Sequence, residues 1–483
     1  MNLAEYARYD GLGLAELVRA RQISAQELGQ LFLAAVEKVN PQINAVIETY
    51  PERVAALDPL IAPHGAFAGV PFLLKDIGSA EAGKRQEMGS RLMRGSVVAV
   101  DGFLTQRFRE AGLTILGRST TPEFALSAST ESVLTGATRN PWNPRLSAGG
   151  SSGGAAASVA AGILPLAHAS DGAGSIRIPA SACGLVGLKP SRGRVTSGPL
   201  AAESLAGMSQ EFVLCRTVRD AAAMLDAVAR PMPGDPFVIV QPAQPYLQQI
   251  GAPVGQLRIA WTTRSWQPGT SVDPEIAGCV EQVAAQCAAL GHVVVEDSPT
   301  LEYEMFLRAI CIGWAFGFDV EVDELAATAG RTIGEETLEP VTLAYYHFAR
   351  GLTAADLVWA ERTANQLRRN VGRFFEGYDI LLTPTLMRLP EPLGIYTQSR
   401  DDLDFYAFFR LCDAMSVHMP LFNLTGQPAI SLPLGMSAAG LPIGVQFVAR
   451  FGREDLLLRL SSAFEQAMPW RARQPIIPVA AAG

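Results

Sequence analysis

The chain has 483 residues, of which 48% are hydrophobic and 18% charged, and this composition excludes a largely disordered protein. The formal net charge is −8 and no long run of lysine or arginine occurs, so we expect no nucleic-acid partner. No stretch of about 18 uninterrupted apolar residues occurs, and the first residues lack the basic start of a secretory signal. We therefore expect a cytoplasmic protein without a membrane span.

The six cysteines and five histidines are dispersed along the chain. No C-x-x-C pair, H-E-x-x-H motif or comparable spacing of metal ligands occurs. Scattered thiols of this kind are typical of small buried residues in a reducing compartment. The sequence therefore predicts no metal site.

The N-terminal region has the pattern of a helix with a defined start. Residues 24–27 read S-A-Q-E, which is a capping box, and Ile23 and Leu28 are placed to form a hydrophobic staple. Apolar residues then repeat at helical spacing as far as the N-P pair at 40–41, where we expect the helix to end. Residues 43–50 are expected to be extended.

Further along the chain, short apolar runs alternate with amphipathic helical patterns. The runs lie at residues 69–74, 113–117, 162–169, 257–262, 292–296, 380–384, 429–434 and 443–448. In one clear unit, Asp273-Pro274 starts a helix, Gly291 ends it, and three valines at 293–295 follow as a strand. This alternation predicts an α/β fold around a mostly parallel sheet. Residues 302–377 are expected to be mainly helical and to form a cap over the sheet.

A loop of glycine and serine is the densest signal in the sequence. Residues 149–154 read G-G-S-S-G-G, and their small side chains allow tight turns and close approach to a ligand. A flexible linker would not pass directly into the alanine-rich helix and apolar strand that follow, and no Gly-Lys-Ser/Thr of a phosphate-binding loop is present. We interpret the segment as a functional loop.

A second serine, Ser175, follows three small residues in D-G-A-G-S-I-R at 171–177. The backbone N–H groups of such residues can point at one spot, which is the geometry of an oxyanion hole. The alternative is an ordinary turn in which Asp171 and Arg177 form a structural ion pair.

Lys75 ends the apolar run 69–74 and precedes Asp76. An ammonium group at the end of a buried strand is partly desolvated, which lowers its pKa, and a neutral lysine is a usable general base. Strand alternation is expected to turn the carboxylate of Asp76 to the opposite face. The alternative is a Lys-Asp pair that faces water.

Taken together, Lys75, G-G-S-S-G-G and D-x-x-G-S-I-R resemble the amidase signature family, whose members hydrolyse carboxamide bonds. The resemblance continues through G-A-T-R-N-P-W at 136–142, C-G-L-V-G-L-K-P at 183–190, D-I-L-L-T-P-T at 379–385, N-L-T-G-Q-P-A-I-S-L-P at 423–433 and G-L-P-I-G-V-Q at 440–446. The distal segments are most similar to bacterial members that act on cyclic dimers of 6-aminohexanoate. The resemblance implies a single α/β domain over 1–483, with a large twisted mixed sheet covered by helices on both faces, and no cofactor. Within it, residues 1–60 are an N-terminal helical part and 61–200 the signature core.

The resemblance also implies roles for individual residues. Ser175 matches the nucleophile, Ser151 the bridging serine on a cis peptide bond, and Lys75 the base. Where family members commonly read D-T-G-G-S, this chain has D-G-A-G-S at 171–175, so an alanine methyl narrows the space for the acyl group. The expected oxyanion donors are the N–H groups of Gly172, Ala173, Gly174 and Ser175. The expected walls of the substrate pocket contain Cys311, Ile312, Trp314 and Phe316 on one side and 422–427, including Asn423, on the other.

Three further functions stay open from the sequence. In the first, G-x-S-x-G at 149–153 is the nucleophile elbow of an α/β-hydrolase, in which Ser151 would act with His418 and Asp404 or Asp413. That elbow needs a strand directly before the serine, and two prolines at 141–144 make a poor strand. The second and third are a noncatalytic binding protein and a glutamine amidotransferase subunit. The expected partner is a small-molecule amide, lactam, anilide or carbamate, and a homodimer remains open.

Overall fold

A computed structural model of the chain describes residues 1–57 and 65–479. The predicted boundary at 60–61 therefore lies outside the described residues. The helices are α1 Leu3–Tyr6, α2 Gly11–Arg19, α3 Ala25–Ile43, α4 Pro51–Ala55, α5 Phe103–Glu110, α6 Gly153–Ala160, α7 Arg177–Cys183, α8 Val218–Val228, α9 Tyr246–Gln249, α10 Pro274–Ala289, α11 Tyr303–Ala315, α12 Phe318–Ala329, α13 Pro340–Arg350, α14 Ala354–Gly377, α15 Phe405–Ser416, α16 Pro420–Thr425 and α17 Glu454–Ala467. Short 3₁₀ turns lie at Arg91–Met93 and Glu123–Ala125. The strands are β1 Val46–Thr49, β2 Pro71–Lys75, β3 Thr114–Ser119, β4 Glu131–Ser132, β5 Gly136–Ala137, β6 Arg139–Asn140, β7 Asn143–Ser147, β8 Leu166–Asp171, β9 Val186–Lys189, β10 Gln210–Cys215, β11 Arg258–Trp261, β12 Val293–Glu296, β13 Ile380–Pro384, β14 Ala429–Met436 and β15 Pro442–Ala449.

The central element is an eight-stranded sheet with the order β12-β11-β13-β15-β14-β9-β10-β8. Helices α6, α7, α8, α10 and α17 pack against its strands. The predicted α/β fold with a large mixed sheet flanked by helices is therefore confirmed. The expectation of a mostly parallel sheet is wrong, because β11 is parallel to β12 and β13 whereas the other five neighbouring pairs are antiparallel. The physical reason is connectivity: β9 leads to β10, and β14 to β15, without a crossover helix between them.

A smaller sheet brings the first site residue to the edge of the large one. Its order is β1-β3-β2, so β2 is an edge strand, and it packs beside β8, the edge strand of the large sheet. Both strands are buried at every position. The carboxyl ends of the two edge strands, at Lys75 and Asp171, therefore carry polar residues into the interior.

The N-terminal helix α3 follows the sequence prediction at its start and departs from it at its end. The capping box of Ser24 and Glu27 is present, as predicted. The helix nevertheless continues past Pro41 to Ile43 and ends at Asn44, whose φ of 49° is left-handed. Proline in the last turn removes only one helical hydrogen bond, so it does not stop the helix there.

The region 302–377 forms the four helices α11 to α14, as the helical pattern predicts. They build a second hydrophobic core that also includes Phe405 and Phe409 of α15. Tyr345 stacks between Phe318 and Phe405 in this core, with ring centroids 4.1 and 4.2 Å away. Among the described residues, none of the helices combines the length and apolarity needed to cross a bilayer.

Candidate active site

The glycine-serine loop connects β7 to α6 and is held by close contacts with neighbouring backbone. A Cβ on Gly150 would lie 2.6 Å from the backbone nitrogen of Ser129, so no larger residue fits there. The peptide bond between Gly150 and Ser151 is cis, as the family resemblance implies. Ser151 and Ser152 are almost completely buried, with 1% and 0% of their surfaces exposed.

Lys75 brings its ammonium group to three serine hydroxyls. Its Nζ lies 2.7 Å from Ser151 Oγ, 3.0 Å from Ser152 Oγ and 2.9 Å from Ser170 Oγ. The lysine is 1% exposed and the hydroxyls come from two different segments, the glycine-serine loop and β8. Since a neutral amine has one lone pair and two protons, it can accept a proton from one hydroxyl while it donates to the other two.

Burial lowers the pKa of Lys75 to about 7, even though the negative charges of Glu211 and Asp171 act in the opposite direction. Asp76 does not contribute, because its carboxylate accepts hydrogen bonds from the backbone N–H groups of Glu87 and Gly89 and pairs with Arg118. The prediction that strand alternation turns Asp76 away is confirmed. Lys75 therefore titrates within the range where enzymes usually work.

A buried histidine and glutamate support the strand end that carries Lys75. The backbone N–H of Lys75 donates to Nδ1 of His168 at 3.2 Å, and Nε2 of that ring lies 2.8 Å from Oε2 of Glu211. Because Nδ1 accepts from a backbone N–H, the ring proton is on Nε2 and faces the carboxylate. The backbone N–H of Ser79 also donates to Glu211, at 2.8 Å.

The loop that carries Ser175 is organised by the buried carboxylate of Asp171. Asp171 accepts hydrogen bonds from the backbone N–H groups of Gly174 and Ile176 and forms an ion pair with Arg177, 2.8 Å from its Nη2. Burial alone would raise the pKa of Asp171, but the Arg177 guanidinium outweighs burial and holds it well below its usual range. The ion pair between Asp171 and Arg177 that the alternative interpretation predicted is thus present. The same pair also fixes the conformation of the serine loop.

The structure separates the four expected oxyanion donors into two groups. The N–H of Gly174 donates to Asp171 Oδ1 at 2.7 Å and is therefore already occupied, which corrects its expected role. Within residues 1–57 and 65–479, the backbone N–H groups of Gly172, Ala173 and Ser175 have no hydrogen-bond acceptor. These three groups are the ones available to a ligand.

Ser175 opens onto a cavity lined mainly by apolar side chains. The serine is 8% exposed, and the space in front of it measures about 450 Å³ when the open solvent at the cavity mouth is counted. The glycine-serine loop packs against α7, the helix that follows Ser175, because a Cβ on Gly149 would lie 2.8 Å from Cα of Pro179. The hydroxyls of Ser151 and Ser175 are not hydrogen-bonded to each other in the described part of the chain, and such bonds often form only when substrate binds.

The expected pocket residues fall into different environments. Trp314 lines the cavity together with Ser175. Cys311 is completely buried in the second core, and Phe316 is 44% exposed, and neither is part of the cavity wall. Asn423 is buried behind the loop, where its amide nitrogen donates to Asp171 and to the carbonyl of Met208.

The residues of the α/β-hydrolase alternative are engaged elsewhere. His418 is buried and donates from Nε2 to the carbonyl of Arg264, Asp404 caps α15, and Asp413 accepts from the hydroxyl of Tyr303. The expectation that two prolines at 141–144 make a poor strand, which counted against this alternative, is wrong, because β7 is a strand before Ser151 although it contains Pro144. Among the described residues it pairs with the short β6 and forms one isolated bridge, from Leu146 to Pro392, and it lies outside the large sheet, so the elbow of an α/β-hydrolase is not formed.

Sequence reasoning did not identify the aromatic wall of the cavity or the contacts of Lys75 with Ser152 and Ser170. Phe405, Phe408 and Phe409 of α15 line the cavity, and Asp413 of the same helix lies beside them. A usable signal was the run F-Y-A-F-F at 405–409, followed by one acidic residue within an apolar segment. Ser170 directly precedes the D-G-A-G-S-I-R motif, but its contact with Lys75 depends on the packing of β2 beside β8.

Comparisons with known proteins agree over almost the whole chain. A family model described as Amidase matches residues 27–458. The chain is 40% identical over 475 residues to a 6-aminohexanoate-cyclic-dimer hydrolase of Paenarthrobacter ureafaciens, with 96% of each chain covered. A solved structure of 6-aminohexanoate cyclic dimer hydrolase complexed with substrate superposes with a TM-score of 0.92 and 39% identity, covering 98% of this chain and 99% of that chain. An acylamidase of Rhodococcus erythropolis is 33% identical over 482 residues, with 96% of each chain covered. The chain therefore belongs to the amidase signature family and is a hydrolase of amide C–N bonds rather than a peptidase.

Proposed function

We propose that the chain hydrolyses small carboxamides through an acyl-enzyme formed on Ser175, with Ser151 as the bridging hydroxyl and Lys75 as the base. The observation that carries this proposal is the environment of Lys75. It is buried, its pKa is lowered to about 7, and its Nζ contacts the hydroxyl of Ser151 at 2.7 Å. A lysine that can lose its proton near neutral pH and is connected to serine hydroxyls is suited to activate a nucleophile.

In the proposed first step, the proton of Ser175 is transferred to the leaving amine, and a bond from Ser175 Oγ to the acyl carbon replaces the amide C–N bond. Ser175 Oγ attacks the carbonyl carbon of the amide while its proton passes through the hydroxyl of Ser151 to neutral Lys75. The tetrahedral intermediate then loses its amine as the C–N bond breaks, and the proton returns along the same path to the leaving nitrogen. Water is activated in the same way in the second step and releases the carboxylic acid, which restores Ser175.

Three backbone N–H groups support stabilisation of the negative oxygen in this scheme. Those of Gly172, Ala173 and Ser175 have no partner among the described residues and belong to the loop that carries the nucleophile. Gly174 has a supporting role, because its N–H fixes the loop on the Asp171 carboxylate. Donors held in place before the reaction stabilise charge without reorganisation, and the loss of one such donor costs about 3 kcal/mol in the barrier.

The cavity favours aliphatic or aromatic amides over glutamine. Its walls include Trp314, Phe405, Phe408 and Phe409, and no lysine or arginine lines it among the described residues. The carboxylate of glutamine would therefore meet no cation on the cavity wall and would face the carboxylate of Asp413, which is unfavourable. Linear amides, lactams, anilides and carbamates fit this surface, and the cyclic dimer named for the relatives is the first substrate to test.

The experiment is hydrolysis of a panel that contains an anilide, the 6-aminohexanoate cyclic dimer, a carbamate and glutamine, with wild type and Ser175→Ala side by side. We expect wild type to release amine from at least one apolar amide and Ser175→Ala to release none. Activity on glutamine alone would contradict the proposed substrate class. Hydrolysis that persists in Ser175→Ala would contradict the proposed nucleophile.

A further inference from the structure

Two buried polar atoms without partners belong to residues that line the cavity beside Ser175. They are Oδ1 of Asp413 and Nε1 of Trp314, and neither has a hydrogen bond within the described part of the chain. Asp413 is 1% exposed and Trp314 6% exposed. Buried polar groups in folded proteins are nearly always paired, so two exceptions in one ligand cavity need an explanation.

Asp413 is satisfied on one side only. Its Oδ2 accepts a hydrogen bond from the hydroxyl of Tyr303 at 2.6 Å, whereas Oδ1 has no donor among the described residues. Arg410 does not supply one, because its guanidinium pairs with Glu304. Burial raises the pKa of Asp413 to about 7, although the Tyr303 hydroxyl and the Arg410 charge act in the opposite direction. The ionised carboxylate would therefore be stabilised by one more donor.

Trp314 offers the complementary group. Its indole packs against the serine loop, since a Cβ on Gly172 would lie 3.2 Å from Cζ2 and 3.8 Å from Cε2, the carbon bonded to Nε1. The ring also contacts Phe409 edge to face, with centroids 5.3 Å apart. The indole is thus held by contacts with Gly172 and Phe409, and its N–H remains without an acceptor in the described structure.

A secondary amide has one N–H donor and one carbonyl acceptor. An amide bound between these two residues would donate its N–H to Asp413 Oδ1 and accept at its carbonyl from Trp314 Nε1, which would pair both buried atoms. An alkylammonium ion has three donors and no acceptor, so it would leave the indole N–H unpaired. A purely apolar chain would leave both atoms unpaired, and burial of unpaired polar atoms against a ligand weakens its binding strongly.

We propose that Asp413 and Trp314 form a subsite for a second amide of the substrate, so that this enzyme prefers diamides over monoamides of the same size. This inference rests on the proposed function, because it places the scissile amide at Ser175 and the second amide at Asp413 and Trp314. The apolar lining of Phe405, Phe408 and Phe409 would then contact the methylene chains that connect the two amides. Asp413 and Trp314 are specificity-determining residues in this scheme.

The test compares the 6-aminohexanoate cyclic dimer with the monolactam of the same ring size, which has one amide and otherwise methylenes. The quantity measured is the ratio of kcat/KM for the two substrates, at about pH 8.5, where Lys75 is neutral and Asp413 ionised. The variants are Asp413→Leu and Trp314→Phe. Asp413→Leu combined with Tyr303→Phe also removes the hydroxyl that the first change leaves unpaired. The matched control is Tyr246→Phe, which removes another buried polar atom without a partner among the described residues, outside the cavity.

We expect wild type to favour the diamide and each cavity variant to lower the ratio by about 10- to 100-fold, whereas Tyr246→Phe keeps it. A ratio that stays at the wild-type value in the cavity variants would overturn the proposal, including when both substrates lose activity equally. Failure of the proposed function looks different. In that case wild type hydrolyses neither cyclic substrate, or hydrolysis persists in Ser175→Ala.

Discussion

The two sides of Ser175 differ in how completely their polar atoms are paired. Behind the serine loop, the guanidinium of Arg177 makes five hydrogen bonds, to both oxygens of Asp171, to Asn423, to Gln446 and to the carbonyl of Met419. On the cavity side, Asp413 and Trp314 each have an atom that is unpaired among the described residues. A saturated network has no capacity for a ligand and fixes the position of the serine loop, while the unpaired side can respond to a ligand. In the proposed mechanism, the chemistry and the choice of substrate are therefore carried by different parts of the site.

Behind the serine loop, the hydrogen bonds of Arg177 use every N–H donor that a guanidinium has. Both Asp171 and Arg177 are completely buried, so removal of one partner would leave an uncompensated charge in the interior. A network of this kind is costly to change and holds its loop in one conformation. Variants of the proposed catalytic groups next to it should accordingly affect rate rather than fold.

The largest effect is expected from Ser175→Ala. Without the nucleophile no acyl-enzyme forms, and kcat should fall by more than about 10⁴-fold while circular dichroism and the melting temperature stay close to wild type. Ser158→Ala is the matched control, since Ser158 is also buried and its hydroxyl has no partner among the described residues. Equal activity of the two variants would remove Ser175 from the mechanism.

Lys75→Ala should lower kcat by about 10²-fold or more, the usual scale for the loss of a general base. Lys75→Arg should not restore it, because a guanidinium does not release its proton at working pH. Lys189 provides the control: it is equally buried and burial also lowers its pKa to about 7, but its Nζ contacts only the carbonyl of Pro190 among the described groups. We expect Lys189→Met to change stability more than the chemical step. Near-normal kcat in Lys75→Arg would mean that position 75 needs only a positive charge.

The pH profile tests whether Lys75 is the titrating base. Desolvation lowers the pKa of Lys75 to about 7, and only the neutral amine can accept a proton. For an anilide, whose single amide leaves the Asp413 subsite unused, kcat/KM should therefore rise from about pH 6 to about pH 8 and then level off. Glu211→Gln removes a charge that favours the ammonium form, and the rise should therefore move to lower pH. Rates measured across this range in buffers of constant ionic strength provide the test. A flat profile would exclude Lys75 as the titrating base.

A smaller effect is expected on the cavity side. Phe409→Leu removes the ring that packs on Trp314 and should change the relative kcat/KM of an anilide and a lactam by up to about tenfold. The midpoint of the pH profile should stay where it is in wild type, because the variant does not alter the surroundings of Lys75. If the midpoint moved and the substrate preference did not, the two sides of the site would not be separable.

The glycine-serine loop, the serine loop and Lys75 could be predicted from the sequence, and most of the residues on the cavity side could not. Lys75, Ser151 and Ser175 lie in short motifs whose chemistry is local, and the strand that ends at Lys75 is recognisable from its apolar run. Asp413 and Trp314 are 99 residues apart on α15 and α11, and only the packing of the second core brings both to one cavity. The antiparallel pairings were missed for the same reason, because the pairing of β13 with β15 depends on the whole fold rather than on local pattern. The occupied N–H of Gly174 likewise depends on how Asp171 turns, which spacing does not specify.

The most direct test of the proposed mechanism is the site of acylation. Wild type is mixed with an activated aryl ester of an aliphatic acid, quenched in acid within the first turnovers and digested with pepsin, and the acyl group is localised by fragmentation in the segment 146–177, which contains both candidate serines. We predict that the added acyl mass lies on Ser175 in wild type and is missing from Ser175→Ala. An acyl group found on Ser151 instead would contradict the mechanism.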